Sequence, residues 1–391
     1  MQAVPSDWDN NAHTIWLADQ KLDAVQSVFT KINASGPNKP KGLMVQAGFY
    51  LYFLKDYSAC VGVLSHALAL FPNDKDIVPT LVVALSRNRQ YDQAKTYAEA
   101  YVALYPDNYS VWDSLANIYH KLDLNSEAVV AGTNSLRIKD KAAEPWANNW
   151  LLPTESPQAF CKDKKNVISY SLWGNHPRYL NGALRNVLLA PDIYPDWELW
   201  FYVDSSVPKR FINLIKRLGA KVIHEADSST VKEKLCWRFQ VCNAEGVGYF
   251  LVRDADSVIS IRERSAVEAW LQSGQWFHVI RDWWTHTDLI LAGLWGGVAG
   301  VLPNVSTLLH GYAASAVETP NIDQWFLRDC IWAYVKTSCL EHDRYFKHRN
   351  ALPLPGYSPV DNFHVGCCEY TQKKAFQAAV LAPWLDQLNE T

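Results

Sequence analysis

Residues recur every 34 positions in the first third of the chain, and this period constrains the fold more than any other feature. Pro72 and Pro106 are 34 residues apart, as are Tyr57 and Tyr91. Cys60, Ala94 and Ala128 share one position of the period, and Leu81 and Leu115 share another. A unit of this length holds two antiparallel helices but cannot close a core alone, so successive units must stack. Small residues then sit where the helices touch and large ones fill the groove beside them. Pro ends the second helix, because it cannot donate the next hydrogen bond. Units read as 41–74, 75–108 and 109–142, the third with Asp140 in place of the proline. Trp16–Ile32 has helical periodicity and reads as a degenerate or capping pair.

The third unit carries Trp112, Leu115, Ala116, Tyr119 and Ala128, and it resembles the tetratricopeptide repeat pattern. The resemblance implies a helical array over residues 1–143. Such an array serves as a scaffold, packed on the second domain or on a second copy as a homodimer, or as a concave surface for an acceptor protein or peptide.

The remainder is built differently. Of 17 tryptophans, 14 lie at or after Trp146. The 391 residues suit two domains. Hydrophobic residues at 49% and charged ones at 20% give a packed core rather than disorder. A net charge of −3 offers no basic surplus for a nucleic-acid backbone. The amino terminus has no basic stretch followed by an apolar run, so no secretory leader is expected. The uncharged run Leu289–Leu309 is interrupted by four glycines and Pro303, and reads as buried strand and turn rather than a membrane span. Eight cysteines with no CxxC spacing read as reduced thiols of a cytoplasmic protein.

After a linker at 144–165, rich in Pro and Trp near its start, residues 166–391 alternate strands and helices. "NVISYSLW", "WELWFYVD", "AKVIHEA" and "GYFLVRDADS" read as strands, and "RYLNGALRNVLLA" and "KRFINLIKRLG" as helices. That alternation predicts a largely parallel α/β sheet with ligands at the carboxyl ends of its strands. The chain has three Asp-x-Asp triplets. Asp7–Asp9 and Asp74–Asp76 have no strand before them, whereas Asp254-Ala255-Asp256 follows "YFLV". Two carboxylates pinned at a strand end form a hard-oxygen site for Mn²⁺ or Mg²⁺, which would take the diphosphate of a nucleotide. A solvated acidic turn is the other reading.

Several segments agree in order and spacing: "VISYSLWGNHPRYLNGALRNVLLAPDIYPDWELWFYVDSSVP", "KEKLCWRF", "FLVRDADSVISIRERSAVEAWLQSG", "FHVIRDWWTHTDLILAGLWGG" and "IDQWFLRDCIW". Over about 167–370 they resemble a family of bacterial and viral glycosyltransferases of the GT-A type. The resemblance implies a GT-A-like domain, a nucleotide-sugar donor, a divalent metal and transfer of a hexose-like unit. The tail departs from the family's "FVG", reading Phe363-His364-Val365-Gly366-Cys367-Cys368.

On this resemblance Ser171, Trp173, Asn175 and Arg178 end the first strand, where base and ribose would lie. Trp173 stacks on the base or fills the core. Arg238 meets the diphosphate or forms a structural salt bridge. Arg253 braces a carboxylate or binds phosphate. Asp282 and His286 follow another strand and should face the same cleft, Asp282 as a catalytic candidate, with Trp283 and Trp284 beside them for sugar faces. Gly296 and Gly297 let backbone approach the donor or make a tight bend. Asp323 deprotonates the acceptor hydroxyl or caps a helix. Asp256 binds the metal directly, and Asp254 binds it through water or holds the donor's ribose or sugar; His364 is the third metal ligand, as in some enzymes of this type, or a structural histidine. The expectation is a metal-dependent glycosyltransferase acting on a glycan or protein acceptor. The alternatives are a repeat-based interaction protein with a non-catalytic second domain, and a nucleotidyltransferase.

Overall fold

A computed structural model describes residues 4–143, 150–312, 321–359 and 363–389. Residues 144–149 of the expected linker lie outside them. Among the described residues the chain divides into two compact units, one up to Lys139 and one from Asp140 onward.

The first unit is four helical hairpins: α1 (Asn10–Leu17) with α2 (Lys21–Ala34), α3 (Lys41–Phe53) with α4 (Tyr57–Leu70), α5 (Val78–Arg87) with α6 (Tyr91–Leu104), and α7 (Tyr109–Lys121) with α8 (Asn125–Ala142). The degenerate stretch at 16–32 belongs to the first hairpin. Each hairpin turns through one left-handed residue: Asp19, Lys55, Arg89 and Asp123, with φ between 59° and 63°. Recurrence of this costly conformation in four non-glycine residues is a backbone signature of the repeat. Cys60, Ala94 and Ala128 are wholly buried, as small residues at helix contacts must be. The Cys60 thiol donates to the Gly48 carbonyl across the α3–α4 seam at 3.2 Å. The prolines act as expected. α4 and α6 run 14 residues and stop short of Pro72 and Pro106, whereas α8, lacking one, runs 18.

The second unit is an α/β domain. In chain order it comprises β1 (Lys165–Leu172), α9 (Pro177–Ile193), β2 (Glu198–Val203), α10 (Lys209–Arg217), β3 (Lys221–His224) and α11 (Val231–Cys236). A 3-10 turn (Trp237–Asn243), β4 (Val247–Arg253), α12 (Ile261–Leu271), β5 (Phe277–Arg281), β6 (Leu294–Val298) and α13 (Val305–Gly311) follow. The chain then forms α14 (Ile322–Phe326), a π turn (Leu327–Ile331), α15 (Trp332–Val335), β7 (Cys339–Asp343), α16 (Glu369–Gln372) and α17 (Lys374–Asn389). The seven strands are ordered β3-β2-β1-β4-β6-β5-β7. All run one way except β6, which is antiparallel to β4 and β5.

Central strands covered on both faces are buried throughout, and β1 and β2 are buried after their first residue, β1 including the polar Asn166, Ser169 and Ser171. Tyr170 stacks on Phe201 across them at 4.7 Å. Residues of α9, α10, α12 and α17 complete the main core against the sheet. All eight cysteines are free thiols. No helix among the described residues is long and apolar enough to cross a membrane, and Leu289–Leu309 forms β6 and part of α13 with their flanking loops.

Candidate active site

From β1 the chain builds outward through β2 to β3, then returns to place β4 on the other flank of β1. Connections therefore leave the carboxyl ends of β1 and β4 in opposite directions, and a crevice opens between them. Ser169 is level with Val252 in this pairing, so two residues on, Ser171 stands beside Asp254. A cleft of about 400 Å³ lies here, lined by Ser171, Trp173, Arg178, Arg238, Asp254, Asp256, His286 and Asp323, among others.

Two glycines bring backbone close enough to shape it. A Cβ at Gly182 of α9 would lie 2.4 Å from the Ala255 carbonyl oxygen and 2.6 Å from the Asp256 Cα. A Cβ at Gly293 would lie 2.2 Å from Asp254 Oδ2. Neither can carry a side chain without moving the acidic loop.

The charged groups alternate in sign. Arg178, in the first turn of α9, donates Nε to Asp256 Oδ2 at 2.6 Å. Arg238 donates Nη2 to Asp323 Oδ2 at 2.8 Å and Nη1 to Asp254. Ser171 Oγ accepts from the Arg238 amide at 3.0 Å, fixing the guanidinium stem to the end of β1. Burial raises the Asp256 carboxyl above its ordinary value and the charge of Asp254 adds to this, with Arg178 opposing. Burial pushes Asp323 up to about 6, against the pull of Arg238. Three carboxylates thus face two guanidinium groups, and the excess negative charge suits a hard divalent cation on Asp254 and Asp256.

His364 does not line this cleft. It stacks on Trp283 at 4.9 Å. Its Nδ1 donates to the Val365 carbonyl at 2.8 Å, which leaves Nε2 unprotonated. Among the described residues no three His, Cys, Asp or Glu side chains converge as a preformed metal cage, so Asp254, Asp256 and His364 are not assembled as a triad. His286 Nδ1 accepts from the Asp282 amide at 3.0 Å, which places its proton on Nε2. Burial, with His364 and Arg281 beside it, keeps this ring neutral.

Several expected residues stand elsewhere. Arg253 is fully buried, donates to Glu263 at 2.7 Å and to the carbonyls of Val252 and Trp295, and closes the core rather than the cleft. Asp282 does not face the cleft. It is 0% exposed, accepts from Arg262 Nη2 at 3.1 Å, and accepts from the Val365 amide at 2.9 Å, so it anchors the tail. Gly296 and Gly297 lie within β6, where a Cβ would strike the Phe250 carbonyl and the Phe277 ring, so close sheet packing explains them. Asn175 is exposed in the turn before α9 and is not part of the lining. Trp284 is buried against Tyr345 at 3.7 Å, and neither it nor Trp283 reaches the cleft. Asn321, not Asp323, holds the cap position of α14.

Sequence reasoning missed Gly182, Gly293, Tyr179 and Gly366, all at the cleft or against its acidic loop. It also missed the way the tail crosses that loop, where Ser257 pairs with Cys368 and its Oγ donates to the Gly366 carbonyl at 2.9 Å. The glycines were visible in "LNGALR" and "LAGLWGG", but their partners are 39 to 74 residues distant in the chain.

No family model and no curated protein matches the chain. Among solved structures it is similar to MamA (residue 41 to the end) from Desulfovibrio magneticus RS-1, at 20% identity over 34% of this chain and 73% of that one, TM-score 0.32. It is similar to YrrB, a TPR protein with an unusual peptide-binding site, at 16% identity over 33% of this chain and 66% of that one, TM-score 0.31. A Thermobaculum terrenum O-GlcNAc transferase mutant matches at 16% identity over 62% of this chain and 44% of that one, TM-score 0.39.

Proposed function

We propose that the chain is a metal-dependent glycosyltransferase that moves a sugar from a nucleotide-sugar donor to a hydroxyl of a glycan or protein acceptor. The observation that carries this reading is the convergence of three carboxylates and two guanidinium groups in one cleft at the topological switch point. Arg178 binds the donor's diphosphate, Arg238 holds Asp254 and Asp323 beside it, and Trp173 and Ser171 flank its nucleoside. His286 offers its Nε2 proton to a donor hydroxyl. Mn²⁺ or Mg²⁺, held by Asp254 and Asp256, supplies positive charge to the leaving diphosphate when bound.

Asp323 acts as the base. The acceptor oxygen bonds to the anomeric carbon as the bond from that carbon to the diphosphate oxygen breaks. The electron pair leaves with the diphosphate and the acceptor's proton passes to Asp323. A carboxyl with a pKa of about 6 is ionised at neutral pH yet more basic than an ordinary one. The helical array is the scaffold or the surface on which the acceptor docks.

A panel of nucleotide sugars, followed by thermal shift and sugar release with and without Mn²⁺, tests this. A donor at 100 times its Kd adds about 2.7 kcal/mol. Asp256→Asn should abolish both the Mn²⁺-dependent shift and sugar release. If no nucleotide sugar shifts the melt or is turned over, the proposal fails and the chain is left as a repeat-based interaction protein.

A further inference from the structure

The acidic pair already has counter-ions, and the two differ in how firmly they are held. The Arg238 side chain is 5% exposed and bonds Asp254, Asp323 and the Arg253 carbonyl. The Arg178 side chain is 41% exposed and holds a single carboxylate, Asp256, from the first turn of α9. Its amide is fixed by the cap residue, His176, whose Nδ1 accepts from it at 3.1 Å. The backbone of Arg178 is therefore anchored, while its guanidinium, 5.4 Å from the centre of the Tyr179 ring, is open to solvent on one side.

Asp256 is in the opposite position. Its side chain is 9% exposed, and its Oδ2 is taken by Arg178. A cation approaching Asp256 finds one of its two oxygens already held by a guanidinium. Two positive charges competing for one buried carboxylate repel each other across a poorly solvated gap. An anion that draws Arg178 off Asp256 removes that competition. A diphosphate suits the task, because guanidinium binds phosphate oxygens through parallel N–H donors.

We propose that Arg178 is an exchangeable counter-ion: it covers Asp256 in the empty cleft and transfers to a diphosphate when a metal ion takes its place, so that the site binds metal and diphosphate as one unit. Arg238 remains in place and holds Asp254 and Asp323 in register through the exchange. The inference rests on the metal reading above and adds an order to it: the metal alone binds weakly, and the diphosphate group promotes its binding. No bond is made or broken in the exchange, and the charge on Asp256 stays balanced throughout.

Mn²⁺ binding to the full chain, read from the electron paramagnetic resonance signal of free Mn²⁺ with and without inorganic pyrophosphate, tests the proposal. Controls without protein subtract the Mn²⁺ that pyrophosphate binds by itself. In the wild type pyrophosphate should tighten Mn²⁺ binding by about tenfold, within the usual range of site–site coupling. Arg178→Gln should bind Mn²⁺ alone more tightly than the wild type, and pyrophosphate should no longer improve it. Arg178→Lys keeps a charge but loses the planar fork, so it should keep weak binding of Mn²⁺ alone and lose part of the coupling. Equal Mn²⁺ affinity in wild type and Arg178→Gln, with the same response to pyrophosphate, overturns the exchange while leaving the metal site standing. Absence of Mn²⁺ binding in every sample, with Asp256→Asn as the reference, overturns the metal site and the exchange with it. Circular dichroism of each variant verifies the fold, and the comparison of wild type with and without pyrophosphate needs no variant.

Discussion

Replacing Gly182 by alanine sets two magnitudes of opposite sign against each other. Gly182 lies inside α9, and alanine in a helix interior is worth about 1 kcal/mol over glycine. The new Cβ would lie 2.4 Å from the Ala255 carbonyl oxygen and 2.6 Å from the Asp256 Cα. Carbon atoms in contact sit about 3.5 Å apart, so α9 and the acidic loop must part by about 1 Å. Both obstacles are backbone, and no side chain can rotate away. Overpacking of this kind costs about 1–3 kcal/mol. Sterics should win, with a net loss of about 1 kcal/mol. Gly62 supplies the control. It lies inside α4, and its Cβ would meet nothing within 4 Å, so Gly62→Ala should gain up to about 1 kcal/mol. Chemical denaturation followed by tryptophan fluorescence reports the second unit, which holds 14 of the 17 tryptophans. Far-ultraviolet circular dichroism adds the helical array. Gly182→Ala should also weaken Mn²⁺ binding, because the displaced loop carries Asp256. A Gly182→Ala protein that is stabilised as much as Gly62→Ala, with Mn²⁺ binding intact, would refute the close approach of α9 to the acidic loop.

On the proposed reading Asp323 takes the acceptor's proton in its ionised form, so kcat/KM should rise as pH climbs through about 6 and level off above it, and Asp323→Asn should remove that limb along with most of the rate. The same carboxyl, raised from its ordinary 3.8 to about 6, holds a proton when folded that the unfolded chain has released; its contribution to stability should therefore fall as pH rises across that window, and Asp323→Asn should flatten the slope in urea titrations. Arg281→Met would leave Asp343 and Glu341 without a fully buried partner that donates to both, at a cost of about 3–5 kcal/mol read from urea unfolding. Asp282→Asn should loosen the tail held through the Val365 amide and raise the donor's KM about tenfold while the pH limb of kcat/KM stays in place.

The repeat was legible because its signal is periodic. Cys60, Ala94 and Ala128 are buried at helix contacts in the last three of the four hairpins, so the same packing demand returns there at the same spacing. The sheet was legible because β1, β2 and β4 are short β-rich segments bounded by turns, and the acidic triplet after "YFLV" was legible because only one of three such triplets follows a strand. Arg253 and Asp282 mark where this kind of reading stops. Both lie in or next to polar motifs at strand ends, yet each is buried and held by partners from other elements, Glu263 of α12 for one and Arg262 of α12 for the other. A motif places a residue at a strand end without saying whether its side chain turns to the cleft or to the core. Gly182 and Gly366 were hidden for a related reason. Their role is defined by what a side chain would strike, the acidic loop for one and Leu294 for the other, and that depends on elements brought together only by folding.

The lone reversed strand has a consequence for how this domain can change. In a sheet of parallel strands the segments that follow strands border the ligand, and those that precede them lie at the far edge. With β6 reversed, the connection that precedes it, 282–293, delivers His286 and Gly293 to the cleft. The segment that follows it runs at the opposite edge, where the amides of Ala299 and Gly300 donate to the carbonyls of Gly248 and Cys242. Added length after β6 would therefore sit at the edge away from the acidic loop, whereas the same number of residues inserted before it would displace Gly293 from Asp254. The variable and fixed sides of this one strand are exchanged relative to its neighbours.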